Sequence, residues 1–153
     1  IVNALKALNC EAIFVKTDVS IESDCKRLIE ITIMTYGTVN ILVNNAGGPK
    51  PGNVNSAGIE DFEIAFKRHL HTSQLLVQTV LPGMKSAGFG RIINIISVSV
   101  RQPIENLGVS NTLRGAMASW ANTISSVLIP RKPSPMRINL VAVVTTSRST
   151  IIA

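Results

Sequence analysis

Val39-Asn40-Ile41-Leu42-Val43-Asn44-Asn45-Ala46-Gly47 is the stretch on which the fold turns. Val39 to Val43 is an apolar run of strand length, interrupted only by Asn40. It stops abruptly at two amides, an alanine and a glycine. A short apolar run bounded by turn residues fits a strand buried on both faces. The next segment, Asn44 to Gly58, is rich in Gly, Asn and Pro and reads as loop.

The flanking segments alternate. Ile1 to Leu8 reads as the tail of a helix, and Ala12 to Val15 as a short strand. Asp18 and Ser20 then offer helix-cap chemistry. Ile21 to Tyr36 repeats apolar residues at helical spacing, and Gly37 closes it. Ile59 to Ser86 is a long helix, expected to bend or break at Pro82-Gly83. Arg91 to Ile96 is a third strand and Val98 to Leu107 is irregular. Val109 to Leu128 is a helix carrying Trp120, Pro130 to Pro135 a loop, and Arg137 to Val144 a fourth strand. Strands alternating with helices give an α/β fold, a parallel sheet covered by helices.

Composition agrees. The 153 residues fit one domain, taken as 1–153, and 46% are hydrophobic against 16% charged. Mean hydropathy is +0.32, which argues against disorder. No apolar stretch is long enough for a membrane span, and Ile1-Val2-Asn3 opens no signal-peptide pattern. Cys10 and Cys25 have no motif spacing, so free thiols in a reducing compartment are expected, with a disulfide as the alternative; the location expected is cytoplasmic. Net charge is +6 and the pI is near 9.8. The basic residues are scattered and aromatics make up only 4%, so there is no base-stacking platform for nucleic acid. A solvated basic surface, or attraction for a phosphate-bearing cofactor, accounts for the charge. His69 and His71 stand two apart on a helix and face different ways, which gives no metal site.

Ligands of open parallel sheets bind beyond the carboxyl ends of the strands. The exits here are Thr17-Asp18-Val19, Asn44-Asn45-Ala46-Gly47, Ile96-Ser97-Val98 and Val143-Val144-Thr145-Thr146. Each has a plain reading as well: Asp18 as a helix cap, Asn44 to Gly47 as a turn. Taken together, and with Leu81-Pro82-Gly83-Met84 and Gly90-Arg91-Ile92-Ile93-Asn94-Ile95-Ile96-Ser97, they resemble the short-chain dehydrogenase/reductase family across essentially the whole chain.

The resemblance implies a Rossmann-like three-layer fold that lacks the family's first two strands. It implies NAD or NADP as cofactor, hydride transfer on a carbonyl or alcohol, a small-molecule substrate, and a homo-oligomer through the two long helices. It places Asp18, Val19, Asn45, Ala46, Gly47 and Thr145 near the cofactor. Ser97 takes the place of the catalytic serine. The family's Tyr-x-x-x-Lys lies about thirteen residues further on, where this chain has Ser110-Asn111-Thr112-Leu113-Arg114. Ser110 therefore stands for the tyrosine and Arg114 for the lysine, and His69 stands where the family has a catalytic Asn. Some sequences similar to the family carry Ser-x-x-x-Arg here, after a context like Ser99-Val100-Arg101-Gln102-Pro103-Ile104.

These departures change the chemistry expected. A phenol, with a reference pKa of about 10, is a usable acid; a serine hydroxyl is far weaker. Arg keeps its charge and offers a planar fork. The family's glycine-rich Thr-Gly-x-x-x-Gly-x-Gly turn, which presents backbone N–H groups to the cofactor's phosphates, is absent from the sequence. The alternative is thus a truncated or degenerate fragment that folds or oligomerises without turnover. In the family's strand order, 3-2-1-4-5-6-7, the first strand here is strand three and the second is strand four. The interval between them can close in three ways. The two strands can pair directly, another chain can fill the gap, or the protein can be longer; the last is the expectation.

Overall fold

The computed structural model describes residues 2–128, 143–146 and 149–152. Its elements run α1 (Val2–Ala7), β1 (Ile13–Val15), α2 (Glu22–Tyr36), β2 (Ile41–Asn44), α3 (Ile59–Phe66), a π-helical turn (Lys67–His71), α4 (Thr72–Ser86), β3 (Arg91–Asn94), α5 (Gly108–Leu128), β4 (Val143–Thr146) and β5 (Ser149–Ile152). The loop expected at Pro130 to Pro135, and the start of the fourth strand before Val143, lie outside the described residues.

β2 and β3 pair in parallel, with Ile41 opposite Arg91 and Asn44 opposite Asn94. A parallel pair needs a long crossover, and the continuous α3–α4 segment provides it. The expected alternation of strand and helix is present, and so is the parallel pairing at the strand that decides the fold.

β4 and β5 form an antiparallel hairpin that the sequence pattern did not foreshadow. β5 pairs antiparallel with β1, and β4 lies against β2. The interval between β1 and β2 is therefore filled by the chain's own hairpin, and β1 does not pair with β2 among the described residues. The driving force is general: strand N–H and C=O groups left without partners are costly to bury.

Two apolar clusters hold the layers together. Leu28 and Ile29 of α2, Leu42 of β2, and Leu76, Val77 and Val80 of α4 form the larger one. Ala65 of α3 packs with Val109, Leu113 and Met117 of α5 in the smaller. Trp120 touches both, and its Nε1–H donates to Gln74 Oε1 at 2.8 Å, tying α5 to α4. Leu28, Leu42 and Leu113 are fully buried, worth roughly 1.5–3 kcal/mol of transfer free energy each.

The long central helix departs from expectation in one respect. It runs on through Pro82 to Ser86, and its irregular turn is Lys67–His71. Pro82 lies near the end of α4, where removing one N–H costs little helix beyond it. The wider π turn shifts the register of every side chain after it. Such turns gather at functional sites.

Candidate functional site

β2 ends at Asn44, whose side-chain amide donates to Asn94 Oδ1 at 2.8 Å. The backbone ladder continues one step further, with Ile95 N–H donating to the Asn44 carbonyl. The two strand exits are thus locked side by side. This is the role the Asn-Asn-Ala-Gly turn needs its first amide for.

Behind the turn stands His69, which is 5% exposed. Its Nε2 lies 3.0 Å from the Gly47 carbonyl. A carbonyl only accepts, so Nε2 carries the proton and donates it. Burial pushes the imidazole's titration down to about 4, and the positive charges of Arg114 and Arg68 push the same way. The ring is neutral at pH 7 and pins the Gly47 backbone. The π turn aims it there.

Arg114 comes from α5. Its Nη1–H donates to the Ile95 carbonyl at 3.0 Å, just past β3, and burial lowers its titration from the ordinary value. The Arg114 Nε–H and the Asn44 Oδ1 are both buried without a partner among the described residues. Both residues line one small cavity together with Asn45, Ala46, Arg68, His69 and Ile95. Its free space, about 10 Å³, is the room one water or hydroxyl needs. An adjoining open cleft of about 660 Å³ is lined by Gly47, Lys50, Asp61, Arg68, His69 and Val109, among others.

Asn45, Ala46 and Arg114 line the small cavity, and Gly47 lines the adjoining cleft. Ser110 lies on α5 one turn before Arg114, half-buried. Ser97 caps the short 3-10 turn Val98–Val100, and its Oγ accepts from the Ser99 N–H at 3.2 Å. Ser97 lines neither the small cavity nor the cleft. The 3-10 turn packs against α5, so Ser97 and the Ser110–Arg114 helix belong to one neighbourhood.

Asp18 and Val19 follow β1. The Ser20 hydroxyl and N–H both donate to the Asp18 carboxylate and hold it below the ordinary carboxylate range, with Arg68 and Lys67 adding to the effect. Asp18 therefore closes a local turn on Ser20 and does not cap α2, whose N-cap, Ile21, has no side-chain cap hydrogen bond. The Val19 carbonyl accepts from Thr72 Oγ1, joining this exit to α4. Thr145 lies on β4, and its side chain is outside the described residues. Sequence reasoning passed over Arg68, which lines both the small cavity and the cleft. Its only signal was its place in the basic run Lys67-Arg68-His69. Cys10 is exposed and Cys25 buried, both as free thiols. No helix is long and apolar enough to cross a membrane among the described residues.

A family model described as short chain dehydrogenase matches residues 1–151. The 3-beta-hydroxysteroid dehydrogenase of Comamonas testosteroni is 34% identical over 108 residues, covering 71% of this chain and 42% of that protein. The 7alpha-hydroxysteroid dehydrogenase of Escherichia coli (strain K12) is 28% identical over 145 residues, covering 93% of this chain and 54% of that protein. The chain thus spans about half the length, or less, of these relatives. Among solved structures, the L-sorbose reductase of Gluconobacter frateurii complexed with NADPH and L-sorbose superposes with a TM-score of 0.78 at 22% identity, covering 82% of this chain and 48% of that one. The 3-ketoacyl-(acyl-carrier-protein) reductase of Brucella melitensis complexed with NADH superposes with a TM-score of 0.68 at 29% identity, covering 73% and 48%. With the family match along nearly its whole length and the Asn44–Asn94 tie at its strand exits, this chain belongs to the short-chain dehydrogenase family.

Proposed function

We propose that the chain forms the nicotinamide and substrate side of an NAD(P)-dependent oxidoreductase acting on a carbonyl or alcohol. The observation that carries this reading is the convergence of Asn44 to Gly47, His69 and Arg114 at the exits of β2 and β3. The donor set suits the cofactor. The cleft of about 660 Å³ has room for a ring, and a ribose hydroxyl would suit the unpartnered Arg114 Nε–H or Asn44 Oδ1 of the adjoining small cavity. Asn45, Ala46 and Gly47 would form one wall, and Asp18 and Val19 would lie toward the adenine end. The relatives described above include proteins solved with NADPH and with NADH, which supports the cofactor class.

When bound, the cofactor supplies or accepts a hydride. The chain's own groups do the rest. The Ser97 hydroxyl would donate to the substrate oxygen. Arg114 holds a fixed positive charge near the place where that oxygen gains negative charge. Preorganised charge of this kind usually contributes more to catalysis than any other single effect. Ser110 occupies the acid's place with a weak acid, so the reaction is expected to run slowly; a missing general acid typically costs about 10²–10⁴ in rate.

The test is oxidation of NADH and NADPH, followed by absorbance with a panel of aldehydes, ketones and oxo esters. Turnover is expected, and it should fall at least tenfold in both Ser97→Ala and Arg114→Gln. Turnover that survives both substitutions unchanged refutes the assignment.

A further inference from the structure

The cleft beside Gly47 has a charge pattern that neither the fold nor the hydride chemistry requires. Lys50 stands on the loop after β2 and Arg68 on the π turn; both are exposed, and both line the cleft. Neither makes a hydrogen bond or an ion pair among the described residues, whose ion pairs, Lys26–Glu22 and Arg27–Asp24, lie on α2. The acid that lines the cleft is Asp61, and its Oδ2 already accepts from the Gly58 N–H at the start of α3. Asp18 feels the charge of Arg68, and its carboxylate accepts from the Ser20 N–H and hydroxyl. Arg114, which lines the adjoining small cavity, adds a half-buried positive charge that is felt at His69. The cleft thus carries two cations, Lys50 and Arg68, that have no ion pair among the described residues.

We propose that Lys50 and Arg68 form an oxyanion-recognition pair at the mouth of this cleft. The ligand group is a phosphate or a carboxylate. It can come from the pyrophosphate of the dinucleotide or from an anionic substrate. The inference rests on the oxidoreductase reading for what occupies the cleft, but not for the binding itself. A guanidinium takes two oxyanion oxygens through its fork, and an ammonium adds a mobile point charge.

The experiment measures binding of three probes to the 153-residue chain by calorimetry: inorganic pyrophosphate, acetoacetate, and the ethyl ester of acetoacetate. The same probes are run on Lys50→Gln, Arg68→Gln, and Lys85→Gln as a charge-matched control on an exposed turn of α4. Circular dichroism verifies that each variant folds. Removing one cation of the rim should weaken the preferred anion roughly fivefold, with added salt acting in the same direction. The ester should bind without regard to either substitution. A preference for pyrophosphate assigns the cofactor as source, and a preference for acetoacetate over its ester assigns the substrate. Equal loss in Lys85→Gln, or no loss in either rim variant, overturns the proposal. NADPH oxidation is assayed in parallel. Anion binding that depends on the rim, without turnover, overturns the oxidoreductase reading and leaves the pair standing. Turnover with anion binding indifferent to the rim does the reverse.

Discussion

Acidification should destabilise this fold through one residue. His69 is 5% exposed, and its imidazole, which titrates ordinarily near 6.5, is pushed down to about 4. Burial is the largest cause and Arg114 the next; the hydrogen bond to the Gly47 carbonyl opposes both. Between those two pH values the unfolded chain binds a proton that the folded chain refuses. Stability is therefore complete above about pH 6.5 and falls as pH drops toward about 4. At about 1.4 kcal/mol per pH unit, the gap amounts to about 3 kcal/mol, a large share of the roughly 5–15 kcal/mol that holds a domain together. Urea unfolding from about pH 7.5 to about pH 4.5 measures it. His69→Gln keeps a donor for Gly47 and removes the titration. The wild-type chain should lose about 3 kcal/mol more than this variant across the window. Parallel losses in the two proteins would refute the reasoning, because His69 would then titrate alike folded and unfolded.

Arg114→Gln removes a positive charge from beside His69, so the ring's titration, followed by its NMR proton shifts, should move up from about 4 but stay below 6.5, since burial is the larger cause. Gly108→Ala would place a Cβ 2.5 Å from the backbone nitrogen of Val54, against a turn held by the Gly108 N–H to Gly52 carbonyl bond, and should cost about 1–3 kcal/mol in urea unfolding. Gly115→Ala, within α5 and with nothing near the new methyl, should instead stabilise by up to about 1 kcal/mol. A thiol reagent at neutral pH should modify Cys10 promptly and Cys25 only on unfolding, because burial shields Cys25 and pushes its thiol up to about 11; two equally fast thiols would contradict the packing of α2.

The strands and helices from Ala12 to Leu128 were legible because their signals are local. Apolar runs mark β1, β2 and β3, helical spacing marks α2 and α5, and Gly37 closes α2 at a φ of 81° that suits glycine. The helix interruption was misplaced for a physical reason. Proline announces itself in a sequence, whereas a π turn such as Lys67–His71 depends on which partners the side chains find, here Gly47 for His69 and Val19 for Thr72. The hairpin β4–β5 was illegible because pairing across an interval between distant strands is not a local property. At the site, Asn44 to Gly47 and Arg114 could be found by spacing and resemblance. The contribution of Arg68 could not, since a basic residue on a helix reads as solvated until the cleft it lines is seen.

The most direct measurement is a titration of the chain with NADH and with NADPH, following the fluorescence of Trp120, its single tryptophan. Trp120 packs on both apolar clusters and is tied to Gln74, so it reports on the α4–α5 wall behind the site. Saturable quenching is expected with at least one cofactor below about 1 mM, equivalent to at least about 4 kcal/mol of binding, with weaker binding in Arg114→Gln. Binding of both cofactors that is millimolar or weaker, or unaffected by Arg114→Gln, would contradict the assignment of this cleft to a nicotinamide cofactor.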